Sequence, residues 1–170
     1  MPTDEQPADE RSADERSTDE RPAGERSADE RSTDEQLAVE LIGRTDYGRV
    51  ATSIRALPFL GFARHIVVDA RVLLRMPRNC GYHHACAGSV VAYGTDNLSS
   101  ARPGESLWSV QIVGHCEPVE PTAAERELFG PAPRFVDGEP FEPVYLGIDP
   151  QFSTVHSTDG GLERQFQHIL

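Results

Sequence analysis

Apolar and polar positions change rhythm once along the chain. From Pro2 to Gln36 there is no large apolar residue, and the first is Leu37. The stretch LAVELIG then pairs Leu37 with Leu41 and Ala38 with Ile42, the four-residue spacing of one helical face. Ser32-Thr-Asp-Glu35 precedes it as a capping box. The pattern predicts a helix from about 33 to 43, stopped by Gly43.

Beyond Gly43 the rhythm becomes that of strands. GRVATSIRAL (48–57) is rich in β-branched residues and is expected to end before Pro58. GFARHIVVDA (61–70) and RVLLRM (71–76) read as a hairpin around Asp69-Ala70. SVVAYGTD (89–96) and LWSVQIVGHCEPVE (107–120) follow, the second with Trp108, Val110 and Ile112 on one face. A short helix is expected over 121–129 with Pro121 at its first position. The Pro- and Gly-rich segment 130–141 reads as loop, and EPVYLGIDP (142–150) and QFSTVHST (151–158) as two final strands. Residues 159–170 read as a loose end. These strands follow each other too closely for a parallel doubly wound sheet, which needs a helix between most of them. They predict a mainly β fold, an antiparallel barrel with two or three short helices.

The N-terminal segment changes the domain picture. Residues 2–36 are seven copies of a five-residue unit close to Ser-Ala-Asp-Glu-Arg. A period of five builds no single helical face, and the unit has nothing large to bury. Residues 1–32 are therefore expected to form a disordered acidic tail, leaving residues 33–158 as one domain. The repeats hold 13 of the 28 acidic residues and 5 of the 16 basic ones, a net of −8 out of the total −12. The remaining −4 is mild, which argues against a nucleic-acid-binding surface. No apolar run is long enough to span a membrane, and the acidic N-terminus does not read as a secretion signal. Three cysteines, an odd number, fit a reducing cytoplasm.

Candidate chemistry concentrates in RMPRNCGYHHACAG, residues 75–88. Cys80, His83, His84 and Cys86 supply metal-ligating atoms. Their spacing matches no closed zinc pattern, and a helix would spread them over different faces. Two other readings stand beside it. Cys86 can be a small core residue with the histidines as hydrogen-bonding groups, or the histidines can line an anion pocket. No metal is expected. Arg75 and Arg78 offer planar forks suited to a phosphate, and a turn entering a short helix adds backbone N–H donors.

The order of pieces resembles the flavin-binding split-barrel family, the pyridoxamine-5′-phosphate-oxidase-like proteins. GRVATSIRALP (48–58) and WSVQIVGHCEPV (108–119) carry the resemblance most strongly, and it spans roughly residues 37–157. It implies a split β-barrel homodimer with FMN at the dimer interface, or in some branches the deazaflavin coenzyme. Haem is a lesser alternative among the ligands. By position it assigns Arg49, Thr52, Ser53 and Arg55 to the first-strand cofactor contacts. It assigns Arg75, Arg78 and Asn79 to the phosphate turn, and Trp108 and Ser109 to the neighbourhood of the ring; His83, from the residues alone, is a candidate to line an anion or flavin pocket. The turn departs from the familiar Ser-Arg-Lys, since Asn79-Cys80-Gly81 stands in its place. The resemblance implies a flavin-dependent oxidoreductase acting on a small molecule, or a non-catalytic protein that binds or sequesters a flavin, deazaflavin or haem.

Overall fold

The computed structural model describes residues 28–158, with side chains described from residue 34 onward. Helix α1 (Ala28–Gly43) is followed by β1 (Tyr47–Ile54), β2 (Leu57–Val68) and β3 (Arg71–Pro77). Then come α2 (Tyr82–Cys86), β4 (Ser89–Asp96), β5 (Trp108–Pro118) and α3 (Ala123–Leu128). Two short strands, β6 (Phe135–Val136) and β7 (Glu139–Pro140), precede the long β8 (Pro143–Ser157). Six strands close into an antiparallel barrel in the order β1-β2-β3-β8-β5-β4. The expected acidic tail lies outside the described residues apart from 28–32, which are helical, and so does the C-terminal end from 159.

The structure corrects several boundaries. The first expected strand is really β1 plus a turn at Arg55 and Ala56, whose φ angles are 50° and 65°. β2 then starts at Leu57 and runs through Pro58, which stands opposite Ser53. Asp69 and Ala70 make the next turn in the same left-handed conformation, with φ of 49° and 61°. Two residues at positive φ match the right-handed twist of the strands they join. The two last expected strands are one, because the ladder between β5 and β8 absorbs Pro150 and Gln151 in a bulge at Val113/Gly114. Pro121 is not the first helical residue of α3. Thr122 is the N-cap and shares a capping box with Glu125, so Pro121 precedes the cap.

Inward-facing side chains of the strands fill the barrel. Val50, Val72, Leu74, Met76, Val91, Tyr93, Val110, Ile112, Leu146 and Ile148 are all buried. Ala38, Leu41 and Ile42 of α1 join the same cluster, so the helix covers part of this core. One buried polar link ties it down. His65 Nε2 lies 2.8 Å from the Ile42 carbonyl and its Nδ1 lies 2.6 Å from the Tyr93 hydroxyl. With the ring neutral, Nε2–H donates to the carbonyl and Nδ1 accepts from the tyrosine.

β3 is buried on both faces, which an antiparallel strand on a barrel wall ordinarily is not. The cause is the segment that follows α3. Phe129 packs on Ile66 and Leu73 outside the barrel. The chain then runs as a strap, residues 131–142, carrying the small β6–β7 hairpin with Asp137 and Gly138 at positive φ. This segment was expected to be loop throughout; Asp-Gly at its centre is the hairpin signal that marks it.

Candidate functional site

Alternation along β1 sends Val50 and Thr52 inward and Tyr47, Arg49, Ala51 and Ser53 outward. On β2 it sends Ala63 and His65 inward and Leu60, Phe62 and Arg64 outward. Two recesses form on the outside of the barrel from these outward sets. The first is a cleft of about 410 Å³ between β2, β3, the 77–82 turn and the strap. Tyr47, Phe62, Tyr82 and Phe141 give it aromatic surfaces, and Arg64, Arg75, Cys80 and Asp137 give it polar ones.

Arg75 points outward from β3 yet is only 6% exposed, because the strap lies over it. Its guanidinium donates to the Gly130 carbonyl at 2.8 Å and the Pro131 carbonyl at 3.1 Å, and it stacks 5.4 Å from the Phe129 ring. Burial lowers its pKa, and among the described residues no carboxylate pairs with it. Arg64, by contrast, is paired with Asp46 and donates to the Phe129 carbonyl. The turn after β3 sits at the rim. Arg78 is 3.5 Å from Glu142, and Asn79 donates to the Val136 carbonyl at 3.0 Å. Cys80 Sγ lies 3.9 Å from Asp137 Oδ2, and its thiol pKa is pushed up by burial and by that carboxylate.

The second recess is a shallow groove of about 320 Å³ on the outer face of β1, β4, β5 and β8. Arg49 and Ser109 line it with Asp96, Gln111, Thr154 and His156. Arg49 lies 3.7 Å from Asp96 and over the Phe62 ring at 5.3 Å. Strand register explains the gathering. Phe62, Arg49, Gly94, Gln111 and Thr154 form one cross-strand row, and Leu60, Ala51, Ala92, Val113 and Phe152 form the next.

The ten residues singled out from sequence therefore do not converge within one chain. Arg75 lines the cleft, with Arg78 and Asn79 in the turn beside it; Arg49 and Ser109 line the groove. Thr52 faces inward and donates to the Ala85 carbonyl at 3.1 Å, fixing α2 to the barrel. Ser53 and Arg55 lie exposed at the tip of the first hairpin. Trp108 packs against the barrel core, its backbone bound to the Asn97 side chain. His83 is buried on α2 against His84, with ring centroids 3.9 Å apart, and its Nδ1 has no hydrogen-bond partner. Burial lowers its pKa, so the ring is held neutral. Among the described residues no three His, Cys, Asp or Glu side chains converge as a metal-binding set.

Tyr47, Phe62, Tyr82 and the strap residues of the cleft were not anticipated. The first two had a signal. Each is an aromatic in the outward register of its strand, and they are 61% and 69% exposed. The strap residues had none, since nothing local says that a Pro-rich loop folds back over β3.

Comparison with known proteins agrees with this architecture. Solved structures with the same fold include an FAD-binding protein from Mycobacterium smegmatis, at a TM-score of 0.56 and 18% identity, covering 72% of this chain and 94% of that one. A haem-binding protein from the same species matches with a TM-score of 0.56 and 16% identity, over 74% of this chain and 57% of the other. In sequence, the uncharacterized protein Rv0080 of Mycobacterium tuberculosis is 37% identical over 82 residues. That match takes in 45% of this chain and 53% of the relative, so the chain spans about half the length of the curated relative it matches. The model of the family described as pyridoxamine 5′-phosphate oxidase matches residues 34–157, the barrel with its helices and strap. The chain belongs to the pyridoxamine 5′-phosphate oxidase-like family.

Proposed function

We propose that this protein binds FMN in the cleft beside the strap and works as a flavin-dependent oxidoreductase on a small molecule. Arg75 carries the proposal. A buried cation without a carboxylate is rare because desolvation is costly unless a counter-charge or dense hydrogen bonding offsets it. Here two carbonyls do part of that work, and a negatively charged ligand in the cleft would complete it. The cleft volume falls in the range of small-molecule sites, and its aromatic walls suit a planar ring. Two solved structures of the same fold are an FAD-binding protein and a haem-binding protein, which supports reading this barrel as one that binds a cofactor.

The flavin, when bound, supplies the redox chemistry by accepting or giving a hydride. The chain's own side chains do the positioning. Tyr47, Phe62, Tyr82 and Phe141 exclude water and flank the ring, Arg75 balances negative charge, and Arg78 with Asn79 stands at the rim for a phosphate. Burial raises the pKa of Cys86 to about 11 and of Cys116 to about 12, and Cys80 is raised too. All three stay protonated thiols near neutral pH, so no cysteine nucleophile enters the reaction.

The division of the site residues into a cleft and a groove fits a homodimer, and the free thiols of Cys80, Cys86 and Cys116 fit a reducing cytoplasm. In such a pair the row from Phe62 to Thr154 on one protomer would face the cleft of its partner, and the cofactor would lie between them. A second reading has a specific basis. Arg75 is already committed to protein carbonyls, and the 78–80 turn to the strap, as in a protein that holds a flavin, deazaflavin or haem without turnover.

The purified protein's absorbance spectrum and an FMN titration test the proposal. Flavin bands, or saturable quenching of FMN fluorescence, are expected. Removing the buried charge with Arg75→Met should weaken FMN by at least about tenfold, the worth of a charge-assisted contact. A colourless protein that ignores added FMN refutes the reading. Anaerobic mixing of the loaded protein with NADH or NADPH then separates the two readings: bleaching marks an oxidoreductase, and a stable spectrum favours a carrier or a different reductant.

A further inference from the structure

The strap is fastened to the barrel by the residues that would otherwise be free to meet an anion. Arg78 binds Glu142 twice over, through the ion pair at 3.5 Å and through its backbone N–H to the Glu142 carbonyl at 2.9 Å. Asn79 holds Val136, and Cys80 meets Asp137. Two carboxylates thus stand along the 78–80 turn, one of them in the cleft lining itself. Neither is needed for the shape of the strap. The β6–β7 hairpin is set by backbone pairing of Phe135 with Pro140 and Val136 with Glu139, and the strap's base by the Phe141 N–H to the Arg134 carbonyl.

We propose that Asp137 and Glu142 are the charge-selecting residues of the cleft. They act as internal anions that occupy Cys80 and Arg78 in the ligand-free protein, and they set the preference between a phosphate-bearing flavin and its dephosphorylated form. This rests on the cleft being a flavin site. A phosphate reaching the turn must displace Glu142 from Arg78 and accept repulsion from Asp137. A neutral ribityl end meets neither cost. The carboxylates therefore lower the advantage that a phosphate would otherwise give.

Fluorescence titration of FMN and riboflavin at low salt tests this on the wild type, Asp137→Asn, Glu142→Gln and the double variant. Both substitutions are mild. Asparagine tolerates the left-handed backbone at position 137, where φ is 52°. Glu142 is exposed. The double variant should bind FMN about fivefold more tightly, from loss of exposed charge terms, with riboflavin unchanged. In an Arg78→Ala background Glu142→Gln should have no effect. Equal shifts for both flavins, or no shift, overturn the proposal and make the strap a packing element only. If riboflavin and FMN both fail to bind every variant, the flavin reading falls, and this proposal with it.

Discussion

His65 shows how one side chain sets a condition on the whole fold. Its ring joins Tyr93 to the last turn of α1, and burial there favours the neutral form. Burial holds its pKa below the ordinary histidine value of 6.5. A lowered folded-state pKa means that the unfolded chain takes up the proton first as pH falls. The stabilisation is complete above 6.5 and is lost as pH falls through the folded-state value. His83, also buried and neutral, adds to the slope in the same direction. Tyr93→Phe should cost about 1 kcal/mol at pH 8, the net worth of a buried hydrogen bond, and less in acid, where the wild type has already lost it. Urea unfolding at a series of pH values measures both; a penalty that does not shrink in acid would show that the Tyr93 contact does not depend on a neutral His65. The residue scale is also where the sequence said least. Arg75 reads as an available cation because its β3 register is outward, and only the strap, arriving more than fifty residues later, buries it.

At the scale of elements, the hairpin turns carry stress that the sequence does not advertise. Ala56 and Ala70 sit at φ of 65° and 61°, a region that costs an L residue about 1–2 kcal/mol and glycine almost nothing. Ala56→Gly and Ala70→Gly should each raise stability by about 0.5 kcal/mol once glycine's greater unfolded-state freedom is set against the relief. Chemical denaturation reads this directly, and a loss of stability on both would mean that the turns are not left-handed. These turns also explain what sequence reading caught and missed. Strands with regular alternation, such as SVVAYGTD and WSVQIVGHCEP, were legible because burial on one face leaves a period of two. The break at residues 55–56 was not, because Arg-Ala carries no turn signature and Pro58 looked like a terminator. Pro150 misled in the same way, being accommodated at a bulge rather than ending a strand. The cleft was half legible: its turn could be placed from RMPRNCG, but its roof and aromatic walls come from segments far apart in the chain.

For the whole molecule, the outer face of the barrel is the feature that matters. Leu60, Phe62 and Phe152 are 60%, 69% and 71% exposed and fall in adjacent cross-strand rows with Ala51, Ala92 and Val113. This apolar surface is the one that the proposed dimer would bury. Phe152→Glu should convert a dimer to a monomer in sedimentation velocity, with FMN affinity falling in parallel; an unchanged sedimentation coefficient would place the interface elsewhere. The closing of the barrel has a different kind of consequence. β8 pairs with β3 from Pro143 to Ile148 and with β5 from Leu146 to Ser157, and it is the last of the six barrel strands in the chain. During synthesis, β1 to β5 can therefore assemble only as an open sheet with β3 and β5 at its two edges, each offering unpaired backbone groups. The nascent chain stays in that adhesive state through some forty further residues, roughly several seconds of elongation at ordinary speeds. The risk of misassembly on the ribosome is thus greatest over one late interval, and it ends when a single strand seals both edges.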